Sequence, residues 1–210
     1  MPNLRSHYVQ FGCGWLAPEG WRNFDASPTL RFERIPVIGT LYTKNDSRFP
    51  ENVEYGDITV GLPIPDESCK GIYCSHVLEH LSLNDFRDAL SNTHRKLQKG
   101  GVFRLVLPDL RYYATRYVND ESDNAAMEFM RDTYLGVESR KRGILSFMKY
   151  WLGNSQHLWM WDFSTLQAEL SRAGFVNIRR ASYGDSSDPK FGEVEQLDRW
   201  NDCLGIECLR

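Results

Sequence analysis

Along this chain the spacing of apolar positions switches between two residues and three to four, and the switches divide it into strand-like and helix-like stretches. HYVQF, His7 to Phe11, reads as a short strand running into Gly12, Cys13 and Gly14, and a second apolar stub from Trp21 to Phe24 ends on Asp25. Ser27 and Pro28 open a mixed segment through Tyr42 with helical character, broken near Pro36. NVEYGDI, from Asn52, is a third strand, and the turn-rich VGLPIPDES with its two prolines follows it. GIYCS, Gly71 to Ser75, has the continuous apolar character of a buried parallel strand. Leu83, Phe86, Leu90 and Leu97 then recur at helical offsets behind an expected N-cap at Ser82. Gly100 and Gly101 are expected to stop that helix before VFRLVLP, Val102 to Pro108, the clearest strand in the sequence.

Beyond it, residues 110–158 are aromatic, polar and weakly helical, and they predict a helical insertion that serves as a lid. Ser164 is expected to cap a helix from Thr165 to Ala173 that ends at Gly174. FVNIRRA, Phe175 to Ala181, and LGIECLR, Leu204 to Arg210, complete a set of seven strands. Strands alternating with helices predict an α/β fold with a mostly parallel sheet covered on both faces, whose ligands bind beyond the carboxyl ends of the strands. All of this fits one domain spanning residues 1–210, with the insertion inside it.

Composition narrows the functional classes. A formal net charge of −3 supplies no basic surplus for neutralising phosphates, which argues against nucleic acid as a partner. No stretch approaches the roughly 18 apolar residues of a membrane span, and the N-terminus lacks a basic start followed by an apolar run, so a cytoplasmic protein with no membrane partner is expected. The five cysteines, Cys13, Cys69, Cys74, Cys203 and Cys208, contain no CxxC pair, and they read as reduced thiols with no metal site.

The chemistry is expected around Gly12-Cys13-Gly14-Trp15-Leu16-Ala17, a G-x-G-x-x-A loop directly after a strand, where glycine lets backbone approach a cofactor closely. Asp25 lies 11 residues past Gly14, whereas a dinucleotide site expects its ribose-binding acid about 20 residues onward. The helix that should follow the loop is largely absent. Three further segments agree with the loop. YGDITVGLPIPDESCKGIYCSHVLEHL, Tyr55 to Leu81, closely resembles the middle motifs of class I S-adenosylmethionine-dependent methyltransferases, the type 11 group in particular. LQKGG followed by VFRLVLPDL, Leu97 to Leu110, and HLWMWDFSTLQAELSRAGFVNIRR, His157 to Arg180, are similar to that family's later segments.

The resemblance implies a Rossmann-like three-layer sandwich with sheet order 3-2-1-4-5-7-6 and strand seven antiparallel. It implies S-adenosylmethionine as cofactor, with Gly12, Cys13 and Gly14 lining its methionine part, Asp25 accepting from the ribose hydroxyls, Asp57 and Ile58 beside adenine, and Ser75 and His76 toward the methionine end. Methyl transfer asks mainly for in-line positioning of the acceptor. If a proton must be removed, His76, His80 or Glu79 are the candidate bases, with His157 behind them. Tyr112, Tyr113, Tyr117, Trp151, Trp159 and Trp161 could wall an acceptor pocket, although large aromatics fill cores as readily. The expected acceptor is a small molecule or glycan-like compound, and a homodimer through a sheet edge is the one protein partner considered. Two rivals remain: a non-catalytic module of the same fold with weak or no cofactor binding, motivated by the short first crossover, and a nicotinamide-dependent oxidoreductase, which the early acid disfavours.

Overall fold

The computed structural model describes residues 7–36, 47–139 and 156–210. Seven strands form one sheet: β1 (His7–Phe11), β2 (Arg22–Asp25), β3 (Val53–Tyr55), β4 (Cys69–Ser75), β5 (Leu97–Pro108), β6 (Val176–Ala181) and β7 (Cys203–Leu209). Their order is β3-β2-β1-β4-β5-β7-β6, with β7 antiparallel to both β5 and β6 and the remaining pairs parallel. This is the Rossmann-like sheet order, with strand seven antiparallel, that the resemblance implied.

The pleat sorts the side chains by parity. Val9, Phe11, Ile72, Cys74, Phe103, Leu105 and Leu107 point into the main core. There they meet Phe86, Ala89 and Leu90 of helix α2 (Leu83–Lys96) and Leu166 and Leu170 of helix α5 (Phe163–Arg172). The alternate residues Tyr8, Tyr73 and Val106 face the other way, onto Trp21, Phe191, Val194 and Trp200. Short helix α1 (Pro28–Glu33) starts at Ser27, whose hydroxyl accepts from the Thr29 amide, and buries Leu30 against Phe49 and Val53. Past β5 come α3 (Leu110–Asn119) and α4 (Ala125–Asp132), the described part of the expected insertion. Residues 140–155, with Trp151, and the end of the mixed segment at Tyr42 lie outside the described residues. Among the described residues no helix is long and apolar enough to cross a membrane.

Two local expectations are corrected. Gly100 and Gly101 do not stop α2, which ends at Lys96 with Leu97 already extended. Instead the pair sits inside β5, where the register against β4 jumps from Leu97 opposite Cys69 to Val102 opposite Gly71. The Gly100 amide and the Gly101 carbonyl bond to Arg210 at 3.0 Å each, so the glycines shape a bulge closed by the C-terminal strand. The late helix begins at Phe163, earlier than Thr165, because Asp162 and not Ser164 is its cap. The Asp162 carboxylate accepts from the Thr165 amide at 2.8 Å.

Candidate functional site

β1 lies between β2 and β4, and the chain leaves it toward β2 while β4 and β5 extend the sheet the other way. Such a switch point opens a crevice at the carboxyl ends of the two strands. The loop beyond β1 enters it with Gly12 at φ +65° and Gly14 at φ +56°, both left-handed. A Cβ on Gly12 would overlap Val77 Cγ2, whereas one on Gly14 would meet nothing within 4 Å. The loop is pinned to β2: the Cys13 amide donates to Phe24 O at 3.1 Å and the Gly14 amide to Asp25 Oδ2 at 3.0 Å. The other Asp25 oxygen accepts from the Ser27 amide at 2.7 Å. Burial, reinforced by Asp25, pushes the Cys13 thiol up to about 12, so it stays protonated.

Asp57 closes the turn after β3, its Oδ1 accepting from the Thr59 amide at 2.9 Å and hydroxyl at 2.8 Å. Ile58 turns its side chain into the main core, while its carbonyl accepts from Asn92 Nδ2 at 2.8 Å. Asn92 of α2 also donates to Thr59 O at 3.0 Å and so fixes the acidic turn from below.

Across the crevice Ser75 ends β4 and His76 follows with φ +55°, a left-handed backbone for a branched ring. Its amide donates to Val106 O at 2.9 Å. Its Nε2 donates to the Arg199 carbonyl at 2.9 Å, and Nδ1 lies 3.4 Å from Glu79 Oε1. Burial works to lower the His76 pKa, but contacts with Cys203, Glu79 and the Arg199 carbonyl outweigh it and raise it to about 10. Glu79 is 0% exposed, and neither of its carboxylate oxygens makes a hydrogen bond. Oε1 also has His157 Nε2 at 3.9 Å, and the His80 and His157 rings meet edge to face at 4.9 Å. His80 Nδ1 donates to Gln156 O at 2.9 Å. Burial lowers the His157 pKa. Glu79, His80 and His157 each bring one donor atom within 4.8 Å of the others, so these are the described residues that could hold a metal ion.

The structure thus collects Gly12, Cys13, Gly14, Asp25, Ser75 and His76 at one switch point and sets Asp57 at the neighbouring strand end, while Ile58 contributes backbone and core. A small cavity beside the loop is lined by Gly12, Cys13, Ser75 and Arg199 among others. The acceptor set, the carboxylates of Asp25 and Asp57, fits a nucleoside whose hydroxyls and exocyclic amine donate. Of the aromatics, Trp161 is core at 1% exposure, stacked on Phe86 at 4.1 Å, whereas Tyr112, Tyr117 and Trp159 stay exposed. Two residues escape sequence reasoning. Arg199 lies in an unpatterned stretch between β6 and β7. Arg104, a charge inside the apolar VFRLVLP, carries a visible signal, since a cation in a central strand demands buried partners.

A family model described as a methyltransferase domain matches residues 10–180. A search of curated proteins finds no match. Among solved structures, the complex of the Haloferax volcanii Trm112 methyltransferase activator with the methyltransferase named beside it is 15% identical, with a TM-score of 0.50, covering 100% of this chain and 84% of that one. PigF with SAH is 15% identical with a TM-score of 0.51, covering 100% of this chain and 52% of that one. Identities this low speak to the fold alone.

Proposed function

The chain belongs to the methyltransferase-domain family, and from that premise we propose that it transfers a methyl group from S-adenosylmethionine to a small-molecule or glycan-like acceptor. The observation that carries the reading is the pair of acids, Asp25 and Asp57, at the ends of adjacent strands beside a left-handed glycine loop. Asp25 would take the ribose hydroxyls: each of its oxygens already accepts one backbone hydrogen and keeps a second acceptor position. Asp57 would face the adenine end, held by Thr59 and Asn92. Gly12, Cys13 and Gly14 would line the methionine part, and Ser75 and His76 would close its far side.

When bound, S-adenosylmethionine supplies a methyl group already activated on a sulfonium. The residues of this chain have to hold the acceptor in line and keep water out. His76 is charged at neutral pH by its surroundings and so stabilises negative charge in preference to accepting a proton. The acceptor would lie toward α3 and α4, where Tyr112 and Tyr117 stay exposed. Exposed aromatic faces suit a small-molecule or glycan-like compound, against whose apolar faces they can stack. A non-catalytic module is favoured by one observation, that both Asp25 oxygens already accept backbone amides, one from Gly14 of the loop and the other from Ser27 at the start of α1. Calorimetric titration of S-adenosylhomocysteine separates the two. Micromolar binding, weakened at least tenfold by Asp25→Ala, is expected from charge-assisted bonds to the ribose. No binding to the folded wild type supports the module.

A further inference from the structure

The connection from β1 to β2, Gly12 to Trp21, contains no helix. In a doubly wound sheet a helix there covers one face of the central strands and aims its N-terminal amides at the ligand's anionic end. Here that face, presenting Tyr8, Tyr73 and Val106, is covered by a segment from the other end of the chain. Phe191, Val194 and Trp200 between β6 and β7 pack on it. The same segment carries Arg199 to the carboxyl end of β4. Arg199 Nε donates to Ser75 Oγ and Nη2 to Ser75 O, each at 3.0 Å, which uses two of the five guanidinium donors. Among the described residues, Arg199 is the one charged side chain lining the cavity that holds Gly12, Cys13 and Ser75.

We infer that Arg199 recognises the α-carboxylate of the cofactor's methionine part, supplying from the C-terminal segment the positive end that the missing first helix would have supplied. The inference rests on the cofactor reading above. The chemistry favours arginine: a planar fork anchored at one edge presents its other donors in a fixed plane to a carboxylate. A helix N-terminus offers only partial charge, so a guanidinium is an ample substitute. Arg199 lies beyond the residues 10–180 matched by the family model, so the family pattern does not assign it this role.

The test separates the carboxylate from the rest of the ligand. S-adenosylhomocysteine and 5′-methylthioadenosine, which lacks the amino-acid end, are titrated into the wild type, Arg199→Met and Arg199→Lys, with circular dichroism verifying the fold. Arg199→Met is expected to weaken S-adenosylhomocysteine about 10- to 100-fold, the range of a lost charge-assisted contact, and to change 5′-methylthioadenosine by less than about 3-fold. Arg199→Lys should fall between, and it carries the comparison alone if the methionine variant does not fold. Equal losses for both ligands, or none for S-adenosylhomocysteine, overturn the inference and leave Arg199 as a prop for β4. If the folded wild type binds neither ligand, the cofactor reading falls and the inference with it.

Discussion

Gly12 meets two demands that few residues meet together, a left-handed backbone and a close approach to Val77. Gly14, two positions on, meets only the first. Alanine at Gly14 should therefore cost about 1 kcal/mol, the strain of a left-handed backbone. At Gly12 the overlap with Val77 adds an overpacking cost, for a total of about 2–4 kcal/mol. Thermal unfolding of the two variants checks the difference; equal losses would show that Val77 yields freely. The positions of the glycine loop and of the acids Asp25 and Asp57 were legible because the loop follows β1, Asp25 ends β2 and Asp57 lies two residues past β3. Arg199 was not, since its partner Ser75 is 124 positions away and nothing around it marks the contact. The same holds for the ring of His76, whose Nε2 meets the carbonyl of Arg199, 123 positions away.

Elements were legible where period and punctuation agreed, as in β1, β4 and α2 with its Ser82 cap. They misled where two cues competed. Asp162 and Ser164 are both good caps, and the choice fell to Asp162 because the β-bridge of Trp161 with Asp109 fixes where the extended chain ends. Asp162→Ala should cost about 1 kcal/mol and Ser164→Ala only a few tenths, read from urea midpoints. The pairing of α2 with α5 depends on charge as well as apolar packing. Arg87 Nε and Nη2 each donate to Glu169 at 2.9 Å, Arg172 also contacts it, and the arginines hold its pKa down to about 2 from 4.5. A depressed carboxylate contributes stability that is fully present above the unfolded value near 4.5 and fades as pH falls toward about 2. Arg87→Ala should accordingly lower the urea midpoint at pH 7 and much less at pH 2.5. A gap independent of pH would place the effect in packing by the arginine stem.

On the scale of the whole molecule, the candidate site depends on how firmly the β6–β7 segment is tied to the sheet, and that tie runs through Arg104. Its side chain is 0% exposed in the middle of β5. Nε donates to Glu195 Oε1 at 2.5 Å, Nη1 to Asp185 at 2.9 Å and Glu207 at 3.0 Å, and Nη2 to Ser182 O at 2.7 Å, while the Trp200 ring lies 4.8 Å from the guanidinium carbon. Asp185 and Glu195 belong to the segment and Glu207 to β7, so one cation gathers both ends of a long connection. A buried ion network adds little net stability over an apolar core of equal volume, yet removing its central charge strands the acids. Arg104→Met should cost about 3–5 kcal/mol. It should also raise amide hydrogen exchange across residues 182–200 ahead of β4 and α2, since the segment loses its anchor while the main core keeps its packing. Because Arg199 reaches the crevice only from that segment, binding of S-adenosylhomocysteine should weaken with the exchange. Arg104→Lys keeps the charge without the fork, and so should fall between wild type and Arg104→Met in both measurements. Binding that stays at the wild-type level while residues 182–200 open would show that the crevice forms without them.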